Sequence, residues 1–157
     1  MNDTGRKCGD CTLCCKLMGV AAVNKPANKW CQYCDIGVGC QIYPERPNSC
    51  KEFECMWLAS IGLPEYMKPS KSHIVLIASN SGIPALCAKV DPSYPAAWKQ
   101  RDVLKVLSIL AQSLPIVVSI RDMAYRILPG NDWIQIPSNY IQKMPDGTIS
   151  FLKGAFR

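Results

Sequence analysis

Nine of the ten cysteines fall between Cys8 and Cys55, opening as Cys8-x2-Cys11-x2-Cys14-Cys15 and continuing as Cys31-x2-Cys34, Cys40, Cys50 and Cys55. A thiolate is a soft ligand, and two thiolates two residues apart can bend back onto one ion, so repeated C-x2-C pairs suit zinc or iron. The competing chemistry is a disulfide framework, which needs an oxidising compartment. Met1 to Asp10 contains no apolar stretch of the kind a secretory signal carries, and the cluster already begins at Cys8. An odd number of clustered cysteines and the adjacent Cys14-Cys15 pair also suit tidy pairing poorly. The expectation is a cytoplasmic metal-holding segment.

Beyond the double cysteine, the stretch Gly39-Cys40-Gln-Ile-Tyr43-Pro-Glu-Arg46-Pro47-Asn-Ser-Cys50-Lys-Glu-Phe53-Glu-Cys55 follows in order. Together these residues resemble the CxxCxxCC family, described as zinc- or iron-chelating and also called YkgJ-like cysteine-cluster proteins. The resemblance covers residues 8–57, about a third of the chain. It implies bacterial origin and metal chelation, with Cys8, Cys11, Cys14, Cys15, Cys31, Cys34, Cys40, Cys50 and Cys55 as the ligand set. Related cluster domains occur beside flagellin lysine methylation activity, so the resemblance also leaves redox and enzyme-associated roles open.

Stoichiometry is open on the residues alone. Eight cysteines form two tetrahedral all-thiolate sites with one spare, and nine close a compact three-metal cluster with shared thiolates. Adjacent side chains diverge, so Cys14 and Cys15 are expected either to serve two ions or to have one coordinate while the other bridges or packs, with closely spaced sites coupled through the pair favoured. Zn2+ is the leading metal, because closed thiolate coordination suits structural zinc. The alternative is iron or an Fe-S cluster on the same ligands.

Other reactive residue types have plainer readings. Cys87 lies in a strand-like run and is expected to be a small buried hydrophobe. His73, the one histidine, is expected to cap an element rather than to ligate or act as a base. Arg46 is placed to donate to carbonyls or thiolates beside the metals, with Trp30, Phe53 and Trp57 shielding them. Asp10, Asp35, Glu45, Glu52 and Glu54 read as solvated charge. No phosphate loop, G-x-S-x-G or H-E-x-x-H occurs, so no enzymatic activity is supported.

The elements that must position these residues divide the chain in two. Residues 1–64 form the cysteine-cluster module, rich in turn formers and short of periodicity, with a helix expected over Lys51–Leu63 carrying Cys55. Residues 65–157 form a small α+β body, one compact unit with the first. There His73–Ser79 and Ile83–Val90 read as strands around an Asn80-Ser81-Gly82 turn. Pro95–Ser113 is an amphipathic helix with Val103, Val106, Leu107, Leu110 and Leu114 inward, and Arg101, Lys105, Ser108 and Gln112 outward. Ile116–Ile120 and Met123–Leu128 are strands stopped by Pro129-Gly130. Tyr140–Met144 and Thr148–Leu152 flank an Asp146-Gly147 turn as a final hairpin. The predicted layout is a β-β-α-β-β antiparallel sheet under one main helix.

Composition narrows the partners. The formal charge of +6 invites nucleic acid, but two four-thiolate sites holding divalent ions would bring it to about +2. With no basic run and no reading helix, nucleic acid is disfavoured and a protein partner is left open. The longest apolar region, Val103–Ile120, contains Lys105, Gln112 and Pro115, so no membrane span is expected.

Overall fold

The computed structural model describes residues 4–79 and 83–156; the expected turn at Asn80-Ser81-Gly82 lies outside the described residues. Up to residue 72 the chain holds only short elements, among them α1 (Leu13–Leu17), the two-residue strands β1 (Cys34–Asp35) and β2 (Gly39–Cys40), α2 (Asn48–Glu52), α3 (Met56–Ala59) and α4 (Pro69–Ser72). The second part contains β3 (Ile74–Ala78), β4 (Leu86–Val90), α5 (Arg101–Leu110), β5 (Ile116–Ile120), β6 (Met123–Leu128) and β7 (Asp132–Gln135). A separate hairpin follows, β8 (Ile141–Lys143) with β9 (Ile149–Phe151), and a terminal 3-10 turn at Lys153–Phe156.

The sheet runs β3-β4-β5-β6-β7 and is mixed. Strands β4 and β5 pair in parallel, Leu86 opposite Ile116, while the other neighbours are antiparallel. The small antiparallel β-β-α-β-β layout is therefore overturned on two counts. Parallel neighbours need a crossover, and the Ala97–Leu110 segment supplies it between β4 and β5. A fifth strand, β7, joins because Pro129-Gly130 turns the chain rather than ending the sheet: Gly130 has φ +86° and Asn131 φ +62°, which brings Asp132 opposite Leu128.

Two expected helices are also shorter than the sequence reading predicted. The Lys51–Leu63 helix splits into α2 and α3 because Phe53 is extended, leaving Cys55 just ahead of α3. The Pro95–Ser113 helix begins at Arg101, since Gln100 is extended, and a 3-10 turn at Ala97–Lys99 precedes it. Ser108, expected on the outer face, is buried: its hydroxyl donates to the Leu128 carbonyl at 2.9 Å and accepts the Asn131 N–H at 2.7 Å. Helix α5 is thereby pinned to the β6–β7 turn.

Strand β5 is buried along its whole length, so the sheet carries apolar cover on both faces. On one face Ile116, Val118 and Ile120 share a core with Val103, Leu104 and Leu107 of α5 and with Trp98. Leu13, Leu17, Cys55, Trp57 and Leu63 belong to that same core, so the boundary drawn at residue 64 crosses a continuous interior. On the other face Val117 and Ala124 meet Ile136, just past β7, with Ile149 of the hairpin and Ala155 and Phe156 of the terminal turn. Among the described residues no helix is long and apolar enough to cross a membrane.

Candidate functional site

Two of the three C-x2-C spacings, Cys8–Cys11 and Cys31–Cys34, close as tight turns. The Cys11 N–H donates to the Cys8 carbonyl at 2.9 Å, and the Cys34 N–H to the Cys31 carbonyl at 3.0 Å. Each turn returns the second cysteine toward the first. Helix α1 then carries Cys14 and Cys15, and is seated by Leu13 and Leu17, four residues apart and both buried in the main core. The two thiols lie half-buried at the edge of that anchored helix.

Longer contacts draw the remaining cysteines around it. The Cys31 N–H donates to the Cys15 carbonyl at 3.0 Å, which fixes the second turn against α1. Cys34 pairs with Cys40 across the β1–β2 ladder. Buried Thr12 accepts the Gly37 N–H at 3.1 Å, tying the tip of that ladder to the residue preceding α1. Cys50 rides on α2, which starts directly after Pro47.

The electrostatics couple these thiols into two groups. In the first, a hydrogen bond to Cys14 and then burial push the Cys15 thiol far above its ordinary range. Burial and the neighbouring Cys15 push Cys34 up to about 12, and burial with Cys15 raises Cys50 as well. In the second, desolvation and then Cys11 raise Cys8, while burial followed by Cys8 and Cys11 raises Cys55, opposed by the N–H groups of Leu58 and Trp57. Cys15 also acts on Cys8 and links the groups. Thiols that suppress one another's ionisation in this way are ionised readily only by a nearby cation.

Protein cations approach both groups. Lys25 is buried, and its ammonium donates to the carbonyls of Lys16, at 2.6 Å, and Met18. Burial lowers its pKa to about 8, and Cys31, Cys15, Cys14 and Cys50 work against that shift. Arg46 faces Cys8 and stacks over the Tyr43 ring at 3.9 Å, with its Nε buried and without a hydrogen-bond partner among the described residues. Lys68 also acts on Cys8 and lies 5.3 Å from the Trp57 ring centre.

The nine cysteines therefore assemble around one region, and all ten thiols are free, with no disulfide among them. Among the described residues, however, no three His, Cys, Asp or Glu side chains are gathered tightly enough to hold a metal ion. The donor chemistry fits a soft cation, while a closed tetrahedron is not assembled. Cys87 stands apart, buried on β4 with its sulfur 3.6 Å from the Ser119 hydroxyl. His73 ends α4 in a left-handed conformation and stacks on Tyr94 at 3.6 Å. Of the expected shields, Trp57 is buried, Phe53 is half-buried and Trp30 is exposed beside Lys16. Asp10, Asp35, Glu45 and Glu52 are exposed, and Glu54 is half-buried.

Three positioning residues escaped the reading of the sequence. Lys25 and Thr12 have no local signature, because their roles depend on loops that close over them. Arg6 precedes the cluster and donates to the carbonyls of Trp57, Ser60, Ile61 and Leu63, clamping the two ends of the module together. Comparison with protein-family models, with curated proteins and with solved structures gives no match.

Proposed function

We propose that residues 8–57 form a CxxCxxCC-type chelating module that binds more than one metal ion, zinc foremost, in a structural or interaction role. The observation that carries this reading is the convergence of nine free thiols from α1, two C-x2-C turns, the β1–β2 ladder and the α2–α3 segment onto one electrostatically coupled region. Nine thiols exceed the four ligands one tetrahedral ion uses. The residues that would hold metal are Cys14, Cys15, Cys31, Cys34, Cys40 and Cys50 on one side and Cys8, Cys11 and Cys55 on the other. A bound divalent cation would favour the thiolate forms that burial and neighbouring thiols disfavour at Cys8, Cys15, Cys34, Cys50 and Cys55.

The chain's own residues set the surroundings. Lys25 and Arg46 contribute positive charge where thiolates accumulate, and the unpartnered Arg46 Nε is a donor available to a coordinated sulfur. Anaerobic purification followed by elemental analysis, a visible spectrum and native mass spectrometry under reducing conditions tests the reading. Two or more zinc ions per colourless chain are expected. A single mononuclear species in fully loaded protein would refute the multi-ion reading. Visible absorption with an inorganic-sulfide mass would replace zinc by an iron-sulfur cluster.

A further inference from the structure

On the sheet face turned away from α5, a cavity of about 500 Å³ opens between β6, β7, the Pro137–Tyr140 segment and the terminal turn. Its size falls within the range of small-molecule sites, roughly 300–1,000 Å³. Two cations line it, Arg126 and Lys153, with no carboxylate in the wall. Among the described residues neither takes part in an ion pair. Arg126 is half-buried on β6.

Apart from Gln135, the remaining wall is largely apolar and is held in place. Ile136 and Ala155 belong to the second core, and Ile134 extends the same surface toward solvent. The Tyr140 N–H donates to the Pro137 carbonyl at 3.0 Å, and its own carbonyl accepts the Leu152 N–H at 3.0 Å. Gly154 lies directly on the Tyr140 ring: a Cβ there would stand 2.1 Å from a ring carbon. The terminal turn closes this wall only because residue 154 has no side chain.

We infer that this cavity is a binding site for a small oxyanion with an apolar body, its carboxylate or phosphate held by Arg126 and Lys153 and its body against Ile136, Ala155 and Tyr140. Arginine suits that head group because its planar fork donates two parallel hydrogen bonds to a carboxylate or phosphate. The site is separate from the cysteine cluster, and binding is expected to be independent of metal content.

Phenyl phosphate, benzoate and inorganic phosphate, titrated into the full chain as purified and followed by isothermal calorimetry and amide chemical shifts, provide the test. At least one aromatic probe should saturate, with shifts centred on residues 134–140 and 153–155, and the better of the two names the head group. Inorganic phosphate should bind at least tenfold more weakly, because it lacks the apolar body. Arg126→Gln should weaken the better probe by roughly tenfold or more, as expected for losing a charge-assisted hydrogen bond. Lys153→Gln, at an exposed position, should weaken it severalfold. Absence of saturation by both aromatic probes, or unchanged affinity in Lys153→Gln and Arg126→Gln, overturns the assignment. Equal affinity for inorganic phosphate and phenyl phosphate overturns the apolar half of it.

Discussion

Arg6→Ala isolates the clamp that joins the two ends of the cysteine module. The guanidinium donates to the carbonyls of Leu63 at 2.6 Å, Trp57 at 2.7 Å and Ser60 at 2.9 Å, all partly buried, and to exposed Ile61 at 3.3 Å. A hydrogen bond from a charged donor contributes about 1.5–3 kcal/mol when well shielded, and partial exposure reduces each of the three short ones to about 1 kcal/mol. The long exposed bond adds little. Stacking on the Trp57 ring, 4.6 Å from its centre, contributes about 0.5–1 kcal/mol and overlaps with the hydrogen bonds. The expected loss is about 3 kcal/mol, which in a chain of this size lowers Tm by roughly 6–12 °C. Arg6→Lys should recover about a third, since an ammonium cannot fork across three carbonyls. Chemical denaturation of the three proteins at matched metal content gives the comparison, and hydrogen exchange over residues 57–63 locates the loss. A change below about 0.5 kcal/mol in Arg6→Ala, the range of ordinary surface substitutions, would refute the clamp.

Stripping the protein with a strong chelator should expose residues 8–57 to protease while the β3–β9 body persists, because the module's own elements are each five residues or fewer; unchanged resistance would sink the structural-metal reading. Cys87→Ser should leave metal content intact and cost about 1 kcal/mol of stability, with Ser119 as the one polar neighbour seen at its sulfur, whereas Cys11→Ser should lose metal first. Elemental analysis with the opposite pattern would reverse those roles. Asp146 accepts the Thr148 N–H at 2.9 Å and its hydroxyl at 2.5 Å, and these hold its carboxyl below the usual range. A depressed folded pKa contributes stability that is present above the unfolded value, near 3.8, and is lost as pH falls through the folded one. Thr148→Val should therefore raise the Asp146 midpoint toward 3.8, read by carboxyl NMR; an unmoved midpoint would contradict the assigned cause.

Much of the second part was legible because its signals are local. Strands at Ile116–Ile120 and Met123–Leu128 lie where their apolar runs place them, and the Asp146-Gly147 turn joins β8 to β9 with Gly147 at φ +85°. Buried Cys87 followed from its apolar neighbours. The parallel β4–β5 pair did not, since a strand's own pattern does not say which neighbour it will find or in which direction. Strand β7 was missed for a related reason: Asp132-Trp-Ile-Gln135 is too short and mixed to read as a strand, and it is one because Trp133 packs edge-on to Trp98, 5.3 Å away.

The candidate site divides in the same way. The sequence by itself determined which residues are soft donors and that a two-residue spacing is short enough to close as a turn, as at Cys8–Cys11 and Cys31–Cys34, since a turn's hydrogen bond spans only three residues. Helix α1 and the burial of Leu13 and Leu17 on it were not legible, because five residues are too few to show a period. Tertiary structure alone decided that Cys15 stands among Cys31, Cys34 and Cys50, that Lys25 is buried against them, and that Arg6 reaches Leu63 across 57 residues. Local chemistry acts through backbone geometry already present in a few residues. Burial and charge coupling depend on which distant segments exclude water together, and that is settled only when the core they share has formed.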